Sequence, residues 1–189
     1  MSKQAAVFAP VEPARVRAQL WCAEGFRADP WRLLTGDEML PYDGRVIISP
    51  TRWRGGGQSF AVSGLSVGIR LGAGEFAFLT ARDAQRLELI ALEFPKFTDG
   101  RAYSTARRLR EQWGFTGELR AVGDVLLDQI PLMLRCGFDS FEITDAATIR
   151  ALQAAPPPAL LRCYQAVPHA RGGGWRSRRS TLPGLAAAE

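Results

Sequence analysis

A singly wound α/β fold, its parallel sheet curled into a partial TIM-like barrel, is predicted by three features of the sequence. From residue 65 onward short aliphatic runs alternate with helical stretches, the βα repeat that builds a parallel sheet. Only one alternating face of those runs is wholly apolar: Val67, Ile69 and Leu71, then Ile90, Leu92 and Phe94, then Leu119 and Ala121, then Phe141 and Ile143. A doubly wound sheet needs two such faces. All helices are therefore expected on one side, where right-handed crossovers curl the sheet and leave the polar set inside. Third, the stretches that follow the strands are rich in charged and amide side chains, whereas those that precede them are short turns.

Taken in order, residues 1–19 carry no convincing period, although residues 13–20 allow a turn or two of helix. Residues 21–44 hold Trp21, Trp31 and the turn signals Asp29-Pro30, Gly36-Asp37 and Asp43-Gly44, the pattern of a wrapping arm with aromatic anchors. Residues 45–50 (RVIISP) read as a buried strand. Residues 51–66 include Gly55-Gly56-Gly57 but neither a phosphate-loop Lys-Ser/Thr nor a dinucleotide fingerprint, so a flexible loop is expected. Four strand and helix pairs follow, at 66–71 and 75–86, 88–94 and 102–113, 118–122 and 125–136, 139–143 and 146–154. Gly114 and Gly137 mark helix stops. Ser104 or Asp99, Asp124, and Thr144 or Asp145 mark starts. Residues 159–166 offer one more strand. The organisation expected is an arm over 1–44, a single α/β domain over 45–168 and a disordered Arg-rich tail over 169–189.

A chain of 189 residues suits one core that buries ~70% of the unfolded surface. Its 47% hydrophobic and 23% charged residues are ordinary for a globular protein, and no apolar run reaches the ~20 residues of a membrane span. No basic and apolar leader opens the sequence, so a cytoplasmic location without a membrane partner is expected. The net charge of +5 lies mostly in the tail, where Arg171, Arg176, Arg178 and Arg179 face one acid, Glu189. The body is nearly neutral, and no nucleic-acid partner is expected. Cys22, Cys136 and Cys163 form no pair motif and His169 is the one histidine, which leaves no metal-ligand pattern and no Ser-His-Asp or Cys-His arrangement.

The candidate site lies where strand 88–94 gives way to helix 102–113, in FPKFTDGR (residues 94–101). Catalytic and ligand groups collect at the carboxyl ends of barrel strands. Lys96, Thr98, Asp99 and Arg101 follow one strand there, Asp124 and Gln129 the next, while Arg70, Glu93, Arg120 and Glu142 alternate in sign along the polar face of four strands. Each of these four charges is expected to neutralise its neighbour, which offsets a burial cost of several kcal/mol per unpaired ion. With Lys96, Arg101 and Arg120 beside helix starts, an anionic ligand is the class that fits. Asp99 and Asp124 have a plainer reading as helix caps.

FPKFTDGRAYS (94–104), GELRAVGDVLLDQ (117–129) and RCGFDSFEI (135–143), preceded by DPWRLL (29–34), closely resemble the bacterial domain-of-unknown-function 934 family. Members are often labelled probable oxidoreductases, and their genes tend to lie beside those for assimilatory sulfite or nitrite reductase and adenylyl-sulfate reductase. The resemblance implies an accessory role in sulfur assimilation with a sulfite or nitrite reductase as partner. The alternatives are a barrel-type enzyme, with Lys96 or Asp99 in acid-base work and a borrowed flavin as the cofactor, and a non-catalytic interaction module. The family has glycine where this chain has Ala102. Closure of the barrel by residues 45–50, by a C-terminal strand or by a second copy is left open.

Overall fold

The computed structural model describes residues 15–60 and 64–157. Eight strands form one sheet: β1 (Arg15–Cys22), β2 (Gly25–Arg27), β3 (Trp31–Leu33), β4 (Arg45–Ile48), β5 (Ser66–Leu71), β6 (Leu89–Phe94), β7 (Glu118–Gly123) and β8 (Ser140–Asp145). Their order is β2-β1-β8-β7-β6-β5-β4-β3. From β3 to β8 every neighbouring pair is parallel, and β1 closes the row antiparallel to both β8 and β2. The result is a curled half-barrel.

Chain connectivity requires the curl. β2 and β3 stand at opposite ends of the strand order, yet only residues 28–30 separate them in the chain. Four Cα steps reach at most about 14 Å. An untwisted eight-stranded sheet would be about 34 Å wide, so the two edges must approach each other.

All ten residues of the predicted apolar face lie in the main buried core. The helices cover that face: α1 (Pro50–Phe60) through Trp53, α2 (Ala81–Ala84) through Ala84, α3 (Arg101–Arg107) through Ala106, α4 (Ile130–Arg135) through Ile130 and Met133, and α5 (Ala146–Ala154) through Ile149 and Leu152. Each large aliphatic or aromatic side chain buried there contributes about 2 kcal/mol. A second, smaller cluster of Trp31, Ile47, Leu89, Ala91 and Val122 fills the other face.

Several expectations change. Where a turn or two of helix is expected over residues 13–20, the described part, from Arg15 on, is instead β1, which pairs with β8 through Gln19–Ile143, Leu20–Glu142 and Trp21–Phe141. The arm thus contributes three strands to the sheet. The loop expected over 51–66 contains α1. Pro50 opens that helix, Ser49 Oγ accepts from the Arg52 N–H (3.3 Å), and Trp53 is buried. These contacts outweigh the ~1 kcal/mol that each glycine costs in a helix. The helix expected over 75–86 breaks into a 3-10 turn (Glu75–Phe78) and α2, because Thr80 adopts an extended conformation and forms a reciprocal capping box with Asp83. The helix expected from residue 125 begins at Ile130, since Pro131 has no N–H to give and fits only the first turn. The helix over 102–113 ends in a π turn (Arg108–Gln112) before Gly114. Residues 159–166 and the tail lie outside the described residues. Among those described, no helix is long and apolar enough to cross a membrane.

Candidate functional site

The interior of the half-barrel is filled. In register across it stand Gly68, Leu89 and Glu118, then Arg70, Ala91, Arg120 and Ser140. Gly68 makes room for the indole of Trp31: a Cβ there would stand 3.0 Å from Leu89 Cβ and 3.2 Å from the Trp31 ring. Arg120 is fully buried. Its Nη1 and Nη2 donate to the two carboxylate oxygens of Asp29 (2.7 and 3.1 Å), and its Nε and Nη2 donate to Glu118 Oε1 (3.1 and 2.9 Å). Ser140 Oγ donates to the same Glu118 oxygen (2.5 Å), and Arg27 Nη2 lies 3.4 Å from it. Burial opposes the charge on Arg120, but the bonds from Asp29 and Glu118 outweigh it and hold the guanidinium above its ordinary pKa.

The alternating ion row is therefore corrected in part. Arg70 does pair with Glu93 (Nη2 to Oε1, 3.2 Å). Arg120 turns away from Glu93 and Glu142 toward Asp29 and Glu118, because the 28–30 link brings a second carboxylate inside. With all three nitrogens engaged, Arg120 ties the arm to the sheet and is not a surface clamp. Glu142 is half-buried on β8, opposite Leu20 of β1, and forms no ion pair among the described residues.

At the carboxyl edge the structure gathers Lys96, Thr98, Asp99, Arg101, Asp124 and Gln129. The loop after β6 is held from the loop after β7: the Phe97 N–H donates to Asp124 Oδ2 (2.9 Å) and Gln129 Nε2 donates to the Phe97 carbonyl (2.8 Å). A tight crossing beneath it, the Asp124 N–H to the Phe94 carbonyl (2.8 Å), needs a glycine at 123. That residue has φ +95°, and a Cβ on it would stand 2.5 Å from the Phe94 oxygen. Asp124 and Gln129 thus position the loop.

Asp99 does not cap α3, whose cap position is Gly100. Its carboxylate takes the Arg101 N–H (3.1 Å) and, in a forked pair, the Arg101 Nε (3.0 Å) and Nη2 (2.5 Å). These bonds hold its pKa down at about 2 and raise that of Arg101. The Arg101 guanidinium lies beside the turn after β5, its Nη1 3.5 Å from where a Cβ on Gly74 would stand. The side chains of Lys96 and Thr98 are exposed, with no hydrogen-bond partner among the described residues. This edge presents three hydrogen-bond donors outward: the Lys96 ammonium, the Thr98 hydroxyl and the outer side of Arg101.

Sequence reasoning missed three things. One is the Asp29 to Arg120 bond, which spans 91 residues and left only a turn signal, Asp29-Pro30. Another is the pin at the opposite edge, where Arg110 donates to the carbonyls of Gly137 (2.9 Å), Phe115 (2.7 Å) and Gly117 (2.8 Å) and to Asp139 Oδ2. The third is an open groove of about 600 Å³ on the β1 and β2 side, lined by Arg17, Leu20, Phe26, Arg27 and Asp29.

A family model described as "Bacterial protein of unknown function (DUF934)" matches residues 68–171, from within β5 to beyond α5, more than half of the chain and all of the carboxyl-edge loop. No curated protein matches the chain.

Proposed function

The chain belongs to the DUF934 family, and from that premise we propose that it is an accessory protein of assimilatory sulfite or nitrite reduction that engages a small anion at the carboxyl edge of its half-barrel. The family's gene association supplies the pathway. One observation supports the site: the side chains of Lys96 and Thr98 stand exposed and without partners among the described residues, on a loop that Asp124 and Gln129 hold in place. The buried guanidinium of Arg120 is matched, and these edge side chains are not. Free donors beside a fixed backbone suit an oxyanion such as sulfite.

The enzyme reading has less support. A general base works best with a pKa near the operating pH, and Asp99, held at about 2, is far too acidic for that work. Lys96 remains its one candidate.

Two experiments test the proposal. A deletion strain should fail to grow on sulfate and recover on sulfide; normal growth on sulfate would sink the pathway. In a thermal-shift panel of sulfite, sulfate, nitrite, phosphate, adenylyl sulfate and flavin mononucleotide, a bound oxyanion at 100 times its Kd adds ~2.7 kcal/mol of stability. That shift should vanish in Lys96→Ala. A shift that survives the substitution would move the site elsewhere, with the groove beside Arg17 and Arg27 the next to probe.

A further inference from the structure

We infer that Phe97 anchors a docking surface for a partner protein that offers an apolar pocket with a carboxylate-bearing rim. Phe97 is 57% exposed, at the loop that follows β6. Both of its main-chain polar groups are tied to side chains of the neighbouring loop, the N–H to Asp124 and the carbonyl to Gln129. On either side the backbone is held again, by the Asp99 N–H to the Lys96 carbonyl (2.9 Å) and the Asp124 N–H to the Phe94 carbonyl (2.8 Å). The chain therefore fixes the backbone of an aromatic residue whose ring it leaves largely in water. A group presented rigidly loses little freedom on association, and a large aromatic held this way has the character of an interface hot spot.

The charges around the ring sort by direction. The Arg101 side chain is 63% exposed, whereas its partner Asp99 is 17% exposed. The Asp124 carboxylate turns in to the Phe97 N–H, and Lys96, next in the chain to Phe97, is exposed with no ion-pair partner among the described residues. Asp99 and Asp124 face the backbone, Asp128 on the neighbouring loop is exposed, and the two outward cations, Lys96 and Arg101, outnumber it. The rim that complements this surface is acidic.

A protein fits the surface better than a small ring. Ligand sites bury most of their ligand between walls, and a planar ring stacked on Phe97 alone would have one face covered. A protein pocket brings its own walls. The inference deepens the accessory reading: the docking surface stands on Phe97 and its neighbours, and only the identity of the partner rests on that reading.

The test replaces Phe97 by the photocrosslinker p-benzoylphenylalanine in the full-length chain, in cells grown on sulfate. The same replacement at Tyr42, which is 98% exposed, is the control. The result expected is a discrete protein adduct at 97 that is absent at 42 and is lost when Lys96→Glu is added. The captured protein, identified and purified, should then bind the wild-type chain at least tenfold more tightly than Phe97→Ala, a variant that melts at the wild-type temperature. No adduct at 97, the same adduct at both positions, an adduct indifferent to Lys96→Glu, or protection of position 97 by free flavin mononucleotide overturns the inference. A sulfite or nitrite reductase in the adduct supports the accessory reading as well. Any other protein leaves the docking surface standing and overturns that reading.

Discussion

The amino half of the sheet and its carboxyl edge are built from the same strands and treat polar groups in opposite ways. In the amino half, Arg120 meets two carboxylates inside the barrel, and Arg110 meets three carbonyls and a carboxylate beneath it. At the carboxyl edge Asp124 and Gln129 hold backbone and Asp99 pairs with Arg101, while the side chains of Lys96 and Thr98 and the Phe97 ring face solvent. Matched polar groups stabilise and fix a fold, and unmatched ones on a fixed frame are available to another molecule. The difference separates the part of the molecule that holds the arm from the part that we propose meets another molecule.

The largest expected effect tests the first half of that contrast. Arg120→Ala leaves Asp29 and Glu118 without the cation they share, with only Arg27 still beside Glu118, and should cost about 4 kcal/mol in denaturant unfolding, since breaking a buried pair strands the remaining charge. Arg120→Lys should recover only part of this, because an ammonium cannot fork to two carboxylates as a guanidinium does. A loss below ~1 kcal/mol would mean that the arm is held by Trp31 and its apolar neighbours alone. Arg110→Ala should follow at about 3 kcal/mol, by stranding the carbonyls of Phe115, Gly117 and Gly137 together with Asp139. Both losses should leave the anion-dependent thermal shift in place.

Smaller effects test the second half. Gln129→Ala removes the bond to the Phe97 carbonyl and should cost about 1 kcal/mol. Amide exchange across residues 96–100 should rise while exchange in β7 and β8 does not change. If the loop exchanges as before, it is held by something other than the clamp. Lys96→Ala and Thr98→Ala should each stay within ~0.5 kcal/mol of the wild type, as exposed substitutions away from packed features do. A loss of more than ~1 kcal/mol in either would show that these side chains serve the fold, and the contrast between the two halves would fail.

How much of this the sequence carried depends on the range of the interaction. Strand faces were legible because alternation is local: Val67, Ile69 and Leu71 or Ile90, Leu92 and Phe94 report their own burial, and those faces set the single-sided winding. The gathering of Lys96, Thr98, Asp99, Arg101, Asp124 and Gln129 at one edge followed from the βα repeat alone. Local signals were also misjudged. Thr80 and Asp83 spell a capping box within the expected helix, and Pro131 marks a helix start. What was not legible is long-range pairing. Nothing near Asp29 says that its carboxylate will meet Arg120, because that depends on how far the sheet curls. Likewise Gly55-Gly56-Gly57 argue locally for a loop, and α1 forms because Trp53 is buried against the sheet and Arg52 donates to the carbonyls of Gly36 and Glu38. Asp99 and Asp124 read as caps for the same reason: a carboxylate beside a helix start looks alike in sequence whichever N–H it accepts from.

The smallest effect concerns the one carboxylate of the edge loop whose pKa is pulled far down. Asp99 is held at about 2 by the Arg101 guanidinium and N–H, below the ordinary carboxylate value. A depressed folded-state pKa contributes stability that is complete above the unfolded-state value of about 4, and that fades as pH falls from there through about 2. Because its partner Arg101 is largely exposed to solvent, the contribution is small and screened by salt. The loop should keep its geometry across the neutral range and begin to loosen only in strong acid. Carboxyl carbon shifts followed by NMR should titrate Asp99 near 2 in the wild type. In Arg101→Ala the titration should return to the ordinary carboxylate range. A wild-type titration already in that range would mean that the fork between Asp99 and Arg101 is open in solution. Arg101 would then join Lys96 and Thr98 as a free donor at the edge, which would sharpen the difference between the two halves of the sheet.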